Sequence, residues 1–122
     1  MHARSVRFAV ILTAFAATNA LAQTPPTANA RGNWTIHSVG GDGKAAVQHV
    51  QIHQGGERIW GRFEGPNQSG GLQGTVVGRH IQFLTKTRDV LNFHGQIDGD
   101  TIQGTFGNHG VQGTWRAQRL AQ

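Results

Sequence analysis

The sequence predicts an all-β protein whose eight antiparallel strands form an up-and-down meander and close into a small β-barrel. Three observations support this prediction. From Gly32 onward, apolar and polar residues alternate with the period of two that is typical of strands, and no segment carries a helical period. The connections between the alternating segments are too short for the crossovers of a parallel sheet. An apolar-x-Gly-x-apolar motif recurs through the same region.

Short glycine-containing stretches separate the alternating segments. The predicted strands span residues 33–39, 45–54, 57–65, 71–77, 80–86, 89–97, 101–107 and 111–118. Gly55-Gly56, Gly78-Arg79 and Asp98-Gly99 fit two-residue hairpin turns, which require positive φ angles. Residues 40–44 and 108–110 allow slightly longer turns. We therefore expect each strand to pair with the next strand along the chain.

The repeated motif places a glycine on the same strand face as its two apolar neighbours, because side chains alternate along a strand. The five copies centre on Gly61, Gly74, Gly95, Gly104 and Gly113. Glycine on the core face weakens a strand, so its repetition indicates sharp bending or a close approach between backbones. Both are demands of a small closed barrel, which would also have no exposed edge strands.

The N-terminal segment has the features of a secretory signal peptide and is excluded from the fold. Two arginines precede an apolar run over residues 8–17, and small residues at 20–22 offer a cleavage site. The alternative is a retained membrane anchor, but the run is shorter than a spanning helix needs, so we expect cleavage and no membrane span after it. The chain thus divides into a signal peptide (1–22), a proline-containing flexible lead-in (23–31) and a barrel domain (32–122), with a periplasmic or secreted location.

Composition limits how the fold is held together and what it binds. The chain has no cysteine, so packing and strand pairing must hold the domain without disulfides. Its formal net charge is +5, but Arg4 and Arg7 belong to the leader and the remaining cations are scattered singly. Scattered cations argue against a specific nucleic-acid partner.

Gly32-Asn33-Trp34 opens the first predicted strand, and Trp115-Arg116 lies in the last. Together with the eight-strand meander, these residues resemble the calycin barrels, meaning the lipocalins and avidins. The resemblance implies that Trp34 packs at one end of the barrel against an arginine of the final strand, Arg116 or Arg119. We therefore expect Trp34, Trp115 and Arg116 to take part in barrel closure. The hairpin over residues 93–106 and the following Gly-Thr-Trp-Arg are also similar to small exported bacterial domains of unassigned function.

Histidines are numerous, which raises the question of a metal site. Six of the seven follow the leader. His49 and His53 share a strand face, but four residues of strand separate them by about 13 Å, which is too far for both to bind one ion. His37 on the neighbouring strand is close enough in the predicted sheet to pair with one of them. We interpret the histidines as polar surface residues and predict neither a metal site nor a cofactor.

The sequence offers no evident catalytic group. Asp42, Asp98 and Asp100 lie in turns, where aspartate favours the turn geometry. Glu57 and Asp89 begin predicted strands beside arginines. No pair of carboxylates is directed at a common point, and no serine has an identifiable base. We therefore predict a protein that is not an enzyme.

The three tryptophans divide into two classes. Trp34 and Trp115 fall on inward positions of the first and last strands, which indicates core packing. Trp60 alternates with inward residues and should point outward beside Arg62 and Glu64. An exposed tryptophan flanked by charges is typical of a contact surface, and these three residues are the candidate ligand or partner site. A small satellite core beneath the loop at 66–70 is the competing interpretation.

Two classes of function stay open at this point. One is an exported, non-enzymatic binding module that takes a small apolar molecule inside the barrel, or a protein or glycan at an exposed face. The other is a structural or interaction domain of the cell envelope with a filled barrel. The partner is accordingly an unknown small molecule or an envelope protein. The two classes differ in volume, since large inward side chains would fill the barrel whereas the motif glycines would leave a cavity.

Overall fold

The predicted signal peptide lies outside the residues described by the computed structural model, which covers residues 26–121. Within that range the chain forms eight antiparallel strands. They are β1 (Gly32–Gly40), β2 (Ala45–Gly55), β3 (Arg58–Glu64), β4 (Ser69–Val77), β5 (His80–Lys86), β6 (Asn92–Asp98), β7 (Thr101–Asn108) and β8 (Val111–Arg119). The described range contains no helix that is long and apolar enough to cross a membrane.

Each strand pairs with the next, and β8 pairs with β1 to close the barrel. In the closing pair, Trp34 is opposite Arg119 and Ser38 is opposite Trp115. The predicted all-β class, strand number, meander order and closure are all confirmed. Trp34 and Trp115 do lie on adjacent strands, but at different heights in the barrel.

The two ends of the barrel differ in their connections. At one end, two-residue turns join β2 to β3, β4 to β5 and β6 to β7, with positive φ angles at Gly56 (63°), Gly78 (59°) and Gly99 (62°). The Gly78-Arg79 turn is as predicted, whereas the other two lie one residue further along the chain because strand pairing extends through Gly55 and Asp98. The other end carries the longer connections 41–44, 65–68 and 87–91 and the two-residue turn His109-Gly110, where the sequence predicted a slightly longer one.

An aromatic cluster fills the middle of the barrel. Phe93 stacks on Phe83 with ring centroids 4.7 Å apart and on Phe106 at 5.6 Å. Trp115 meets Phe93 edge to face at 5.2 Å, and Phe63 lies 6.1 Å from Phe93. Such offset and edge-to-face pairs are the favoured arrangements of aromatic rings. The large inward side chains therefore occupy the interior.

The motif glycines are needed where backbones and rings approach closely. Gly95 and Gly104 are opposite each other on β6 and β7, and Trp115 packs beside them. A Cβ at Gly95 would lie 2.9 Å from Trp115 Cζ2, and one at Gly104 would overlap His94 O. The indole N–H of Trp115 donates at 2.9 Å to both His94 O and Thr105 O. The remaining three motif glycines, Gly61, Gly74 and Gly113, also face backbone atoms of neighbouring strands.

Residues 28–31 form a strap across the tight-turn end of the barrel. Ala28 N–H donates to Gly78 O at 2.8 Å, and Ala30 N–H donates to Gln54 Oε1 at 2.7 Å. The Gln54 amide in turn donates to Ala28 O at 3.0 Å, and Trp34 Nε1 donates to Ala30 O at 3.0 Å. Ala30 is fully buried. Residues 28–31 of the predicted lead-in are thus hydrogen-bonded to the barrel.

Arg119 is the arginine that closes this end. Its guanidinium lies over the Trp34 ring, with Cζ 4.3 Å from the centroid. Its Nε donates to Asp100 Oδ1 at 2.8 Å, and one Nη donates to Asn29 O at 2.9 Å. Arg116, three residues earlier, lies opposite His37 in the closing β1–β8 pair, but its side chain is exposed on the outer face and it is Arg119 that covers Trp34. Side chains alternate along a strand, so Arg116 points outward because its neighbour Trp115 points inward.

Strand β6 begins at Asn92 rather than at the predicted residue 89. The Gln68 side chain brackets the Asp89 backbone, accepting from its N–H and donating to its carbonyl, both at 2.9 Å. Thr85 Oγ1 accepts from Leu91 N–H at 2.9 Å. These side chains thus form hydrogen bonds with the backbone groups of Asp89 and Leu91 that a neighbouring strand would otherwise provide.

Candidate binding surface around Trp60

Trp60 projects from the outer surface of β3, as alternation predicts. Its side chain is half exposed, and the residue retains 47% of its accessible area. The His53 ring on β2 stacks against it, with centroids 6.1 Å apart and 29° between the planes. The indole N–H has no hydrogen-bond partner among the described residues, whereas those of Trp34 and Trp115 are both bonded. One ring face and one donor of Trp60 are thus open to a ligand.

The other two predicted site residues share this face of β3. Arg62 Nε lies 3.9 Å from Glu64 Oε2, and both side chains are more than half exposed. Arg62 Nη2 also approaches Ser69 Oγ at 3.5 Å. Exposed pairs of this length contribute little to stability, so Arg62 and Glu64 are held loosely and can exchange partners. Trp60, Arg62 and Glu64 do lie together, with Arg58 on the same face.

Strand register extends the surface across β4 and β5. Gln73 and Leu84 continue the row that starts at Trp60, and Lys86 lies beyond Gly71 in the row of Arg62. We call the outward side chains in the rows of Arg58, Trp60 and Arg62 on these three strands the Trp60 face. It consists of Arg58, Trp60, Arg62, Gln73, Thr75, Gln82, Leu84 and Lys86. Trp60 and Leu84 are its only large apolar members, and the rest are polar or cationic.

Trp60 separates two surface grooves. The first, of about 480 Å³, runs across the Trp60 face between Arg58, Trp60 and Leu84. Gly74 forms part of its floor, where a Cβ would lie 2.6 Å from Phe83 Cα because β4 and β5 approach so closely. The second, also about 480 Å³, lies on the other side of the indole toward β1 and the strap. Its lining residues are Arg31, Gly32, Asn33, Gln51, Ile52, His53, Gln54 and Trp60.

A smaller groove of about 210 Å³ adjoins the other two predicted residues. It lies between the start of β1 and the middle of β2 and β3, and it includes Arg62, Glu64 and Leu120. The edge of the buried Trp34 contributes to its lining. All three candidate residues from the sequence therefore border concave surface, with Trp60 shared between the two larger grooves.

Of the described histidines, His53 contributes to this surface. His53 is committed to the stack on Trp60. His80 and His94 are neighbours on β5 and β6, with ring centroids 6.2 Å apart. Among residues 26–121, no three histidine, aspartate or glutamate side chains converge as metal ligands.

The acidic side chains mostly serve turns and ion pairs. Asp42 Oδ1 accepts from Lys44 N–H at 3.0 Å, which closes the turn between β1 and β2. Asp100 pairs with Arg119 at 2.8 Å, and Asp98 approaches Arg79 at 3.7 Å. These carboxylates lie at the tight-turn end or in the β1–β2 loop, away from the Trp60 face.

Comparison with known proteins gives the fold but no function. No family model and no curated protein matches the chain. Among solved structures, a redesigned β-barrel matches with a TM-score of 0.68 at 12% sequence identity. The match covers 75% of this chain and 91% of the other. At that identity the likeness concerns the barrel architecture alone.

Sequence reasoning missed the members of the surface that come from β4 and β5. Gln73, Leu84 and Lys86 join Trp60 only through strand register, which alternation does not specify. A signal was nevertheless present. Leu84 alternates with the inward Phe83 and Thr85, so an exposed leucine was predictable on the strand two places from Trp60. The His53 stack also needed the register between β2 and β3.

Proposed function

We propose that the protein is an exported, non-enzymatic binding module that holds a glycan on its outer surface at Trp60. The observation that carries the proposal is a half-exposed indole standing between two grooves of about 480 Å³ each. Volumes in this range suit a small ligand or a few residues of a polymer. The indole supplies an apolar platform, and its free N–H supplies a donor.

The lining of the grooves favours a sugar over an apolar ligand. A sugar ring presents C–H groups on one face and hydroxyl groups around its edge. Trp60 matches the former, while Gln51, Gln73, Gln82 and Asn33 offer amides that donate and accept hydrogen bonds. A protein partner would require a more apolar centre than one tryptophan and one leucine provide. An apolar molecule inside the barrel has no support, because aromatic rings occupy the interior.

Titration with defined glycans tests this proposal. The mature chain, residues 23–122, is titrated with hexasaccharides of β-1,4-linked glucose, N-acetylglucosamine, mannose, glucuronate and mannuronate. Binding is followed by calorimetry and tryptophan fluorescence. We expect saturable binding to at least one glycan, lost in Trp60→Ala and unchanged in Val111→Ala, which trims an exposed apolar residue of β8.

Two results would contradict the proposal. Binding that survives Trp60→Ala would move the site elsewhere. Absence of saturable binding to every glycan would favour the second function class, a structural or interaction domain of the cell envelope whose filled barrel holds no ligand.

Export is a separate part of the proposal. Its support is the pattern of two arginines, an apolar run and small residues before Gln23, together with the similarity of the hairpin over 93–106 to small exported bacterial domains. A distant calycin-like kinship belongs to the same proposal. The intact mass of protein recovered from periplasm or medium should correspond to a chain that begins at Gln23. A mass that includes residues 1–22 would reject cleavage.

A further inference from the structure

We propose that the glycan held at Trp60 is anionic, and that Arg58 and Lys86 bind its acidic groups on either side of the stacked sugar. This inference rests on the proposed function and specifies its ligand class. The supporting observation is an arrangement of cations around the indole that the fold does not use.

Arg58 and Lys86 lie at opposite corners of the Trp60 face. Arg58 occupies the outward position two residues before Trp60 on β3. Lys86 is on β5, in the row of Arg62, which is two residues beyond Trp60. The rows of Arg58 and Arg62 are therefore about 13 Å apart along the strand direction, with Trp60, Gln73 and Leu84 between them. A chain of several sugars that crosses the indole would pass both cations.

Neither cation serves the fold through an ion pair. Among residues 26–121, the other outward arginine of this face is paired with Glu64, whereas Arg58 and Lys86 have no carboxylate partner. Lys86 lies next to Gly71, where the missing side chain leaves the space between Arg62 and Lys86 open; a Cβ there would be 4.0 Å from Lys86 Cδ. The cations are consequently free to meet carboxylate or sulfate groups, which bind guanidinium and ammonium through charge-assisted hydrogen bonds.

The nearby acids do not neutralise the face. Glu64 is at the far end of β3 and is shared with Arg62. Glu57 lies in the turn before Arg58 and forms no ion pair with it among the described residues. The face as a whole thus carries three cations, and an anionic ligand is the complementary one.

A nucleic acid would also bring negative charge, but the aromatic content of the face does not suit it. Surfaces that bind single-stranded nucleic acids stack successive bases on several aromatic side chains. This face has one exposed aromatic ring, that of Trp60. The His53 ring of the neighbouring strand β2 stacks against it. A single platform between two polar grooves fits one sugar of a hydroxyl-rich chain better.

The test compares glycans that differ only in charge. The mature protein is titrated with β-1,4-linked mannohexaose, with the C6-oxidised mannuronate hexamer of the same linkage, and with a sulfated mannohexaose. The glucose and glucuronate pair is run in parallel. We expect the carboxylated or the sulfated form to bind about fivefold tighter than its neutral counterpart, the factor that about 1 kcal/mol of exposed ion pairing gives. The two anionic arms distinguish carboxylate from sulfate as the preferred group.

Variants assign the preference to the two cations. Arg58→Gln combined with Lys86→Gln should abolish the advantage of the anionic glycan over its neutral counterpart. The matched control is Arg116→Gln, which removes one exposed arginine from β8, on a different face of the barrel, and should leave the advantage intact. Raising the salt from about 0.05 M to about 0.5 M should reduce the advantage in the unmodified protein, since exposed charges are screened.

The outcomes separate this inference from the proposed function. If glycans bind in a Trp60-dependent way but neutral and anionic forms bind equally, the inference fails and the proposed function stands. The same holds if the double variant keeps the preference. If oligodeoxythymidylate binds more tightly than every anionic glycan and loses binding in Trp60→Ala, the ligand is a nucleic acid and the inference is overturned. If no glycan binds, both proposals fail.

Discussion

Trp115 and Trp60 are the same residue type in opposite settings. Trp115 is 2% exposed, its indole N–H is shared by two carbonyls, and its ring meets Phe93 and Phe83 edge to face. Trp60 is 47% exposed and touches one aromatic neighbour, His53, and its N–H has no hydrogen-bond partner within residues 26–121. Packing and hydrogen bonds in the interior therefore occupy both the ring and the N–H of Trp115. At the surface, one ring face and the N–H of Trp60 are available to a ligand. Substitutions should accordingly separate folding from binding.

Trp115→Ala should have the largest effect on stability. Truncation removes the ring from the aromatic cluster and withdraws the donor from His94 O and Thr105 O. We expect the free energy of unfolding to fall by about 3–5 kcal/mol, measured by urea denaturation. A loss below about 1 kcal/mol would mean that the core repacks around the missing ring. Trp115 would then contribute no more to the free energy of unfolding than Trp60 does.

Gly104→Val should follow, because the site has no room for a side chain. A Cβ at Gly104 would overlap His94 O and lie 2.6 Å from Gly95 Cα. Backbone atoms cannot move aside as a flexible side chain can, so we expect a loss at the upper end of about 1–3 kcal/mol. The matched control is Gly107→Ala on the same strand, where a Cβ would meet only Val111 O at 3.9 Å. Equal losses in both variants would show that crowding at Gly104 is not the cause.

Arg119→Ala tests closure of the strap end. The side chain covers Trp34 and bonds to Asp100 and to the Asn29 carbonyl of the strap. We expect a loss of about 1–2 kcal/mol, with faster amide hydrogen exchange at Ala28 and Ala30, whose N–H groups are bonded in the strap. Arg116→Ala should change neither quantity. A larger effect from Arg116→Ala would restore it as the closing arginine.

The sequence was sufficient for the fold because the information was local. Alternation identified eight strands, and glycine-rich turns of two residues left only a meander. The strap was missed because residues 28–31 carry no apolar period and are held by Gln54 and Arg119, far away in the sequence. The choice of Arg119 over Arg116, by contrast, follows from alternation along β8, because Trp115 points inward and Arg116 therefore points outward.

The candidate site shows the same division between local and non-local information. The outward direction of Trp60 follows from alternation within β3 and is confirmed by its exposure. The positions of Lys86 and Leu84 relative to Trp60 depend on two successive strand registers, which no local pattern encodes. Gly71 of β4 leaves space between Arg62 and Lys86 only because β3, β4 and β5 pair in this register. Surface chemistry therefore had to come from the structure.

Trp60→Ala should have the smallest effect on stability. The ring loses its contact with His53 and some strand preference, which together are worth no more than about 1 kcal/mol at an exposed position. Trp34 and Trp115 remain buried, so the variant should lose the component of tryptophan emission that acrylamide quenches readily, while the protected component persists. Urea denaturation and quenching on the same samples measure both quantities. If Trp60→Ala lowers the free energy of unfolding as much as Trp115→Ala is expected to do, Trp60 belongs to the satellite core beneath residues 66–70. The Trp60 face would then be part of the fold, because its central residue would be committed to packing and not to a ligand.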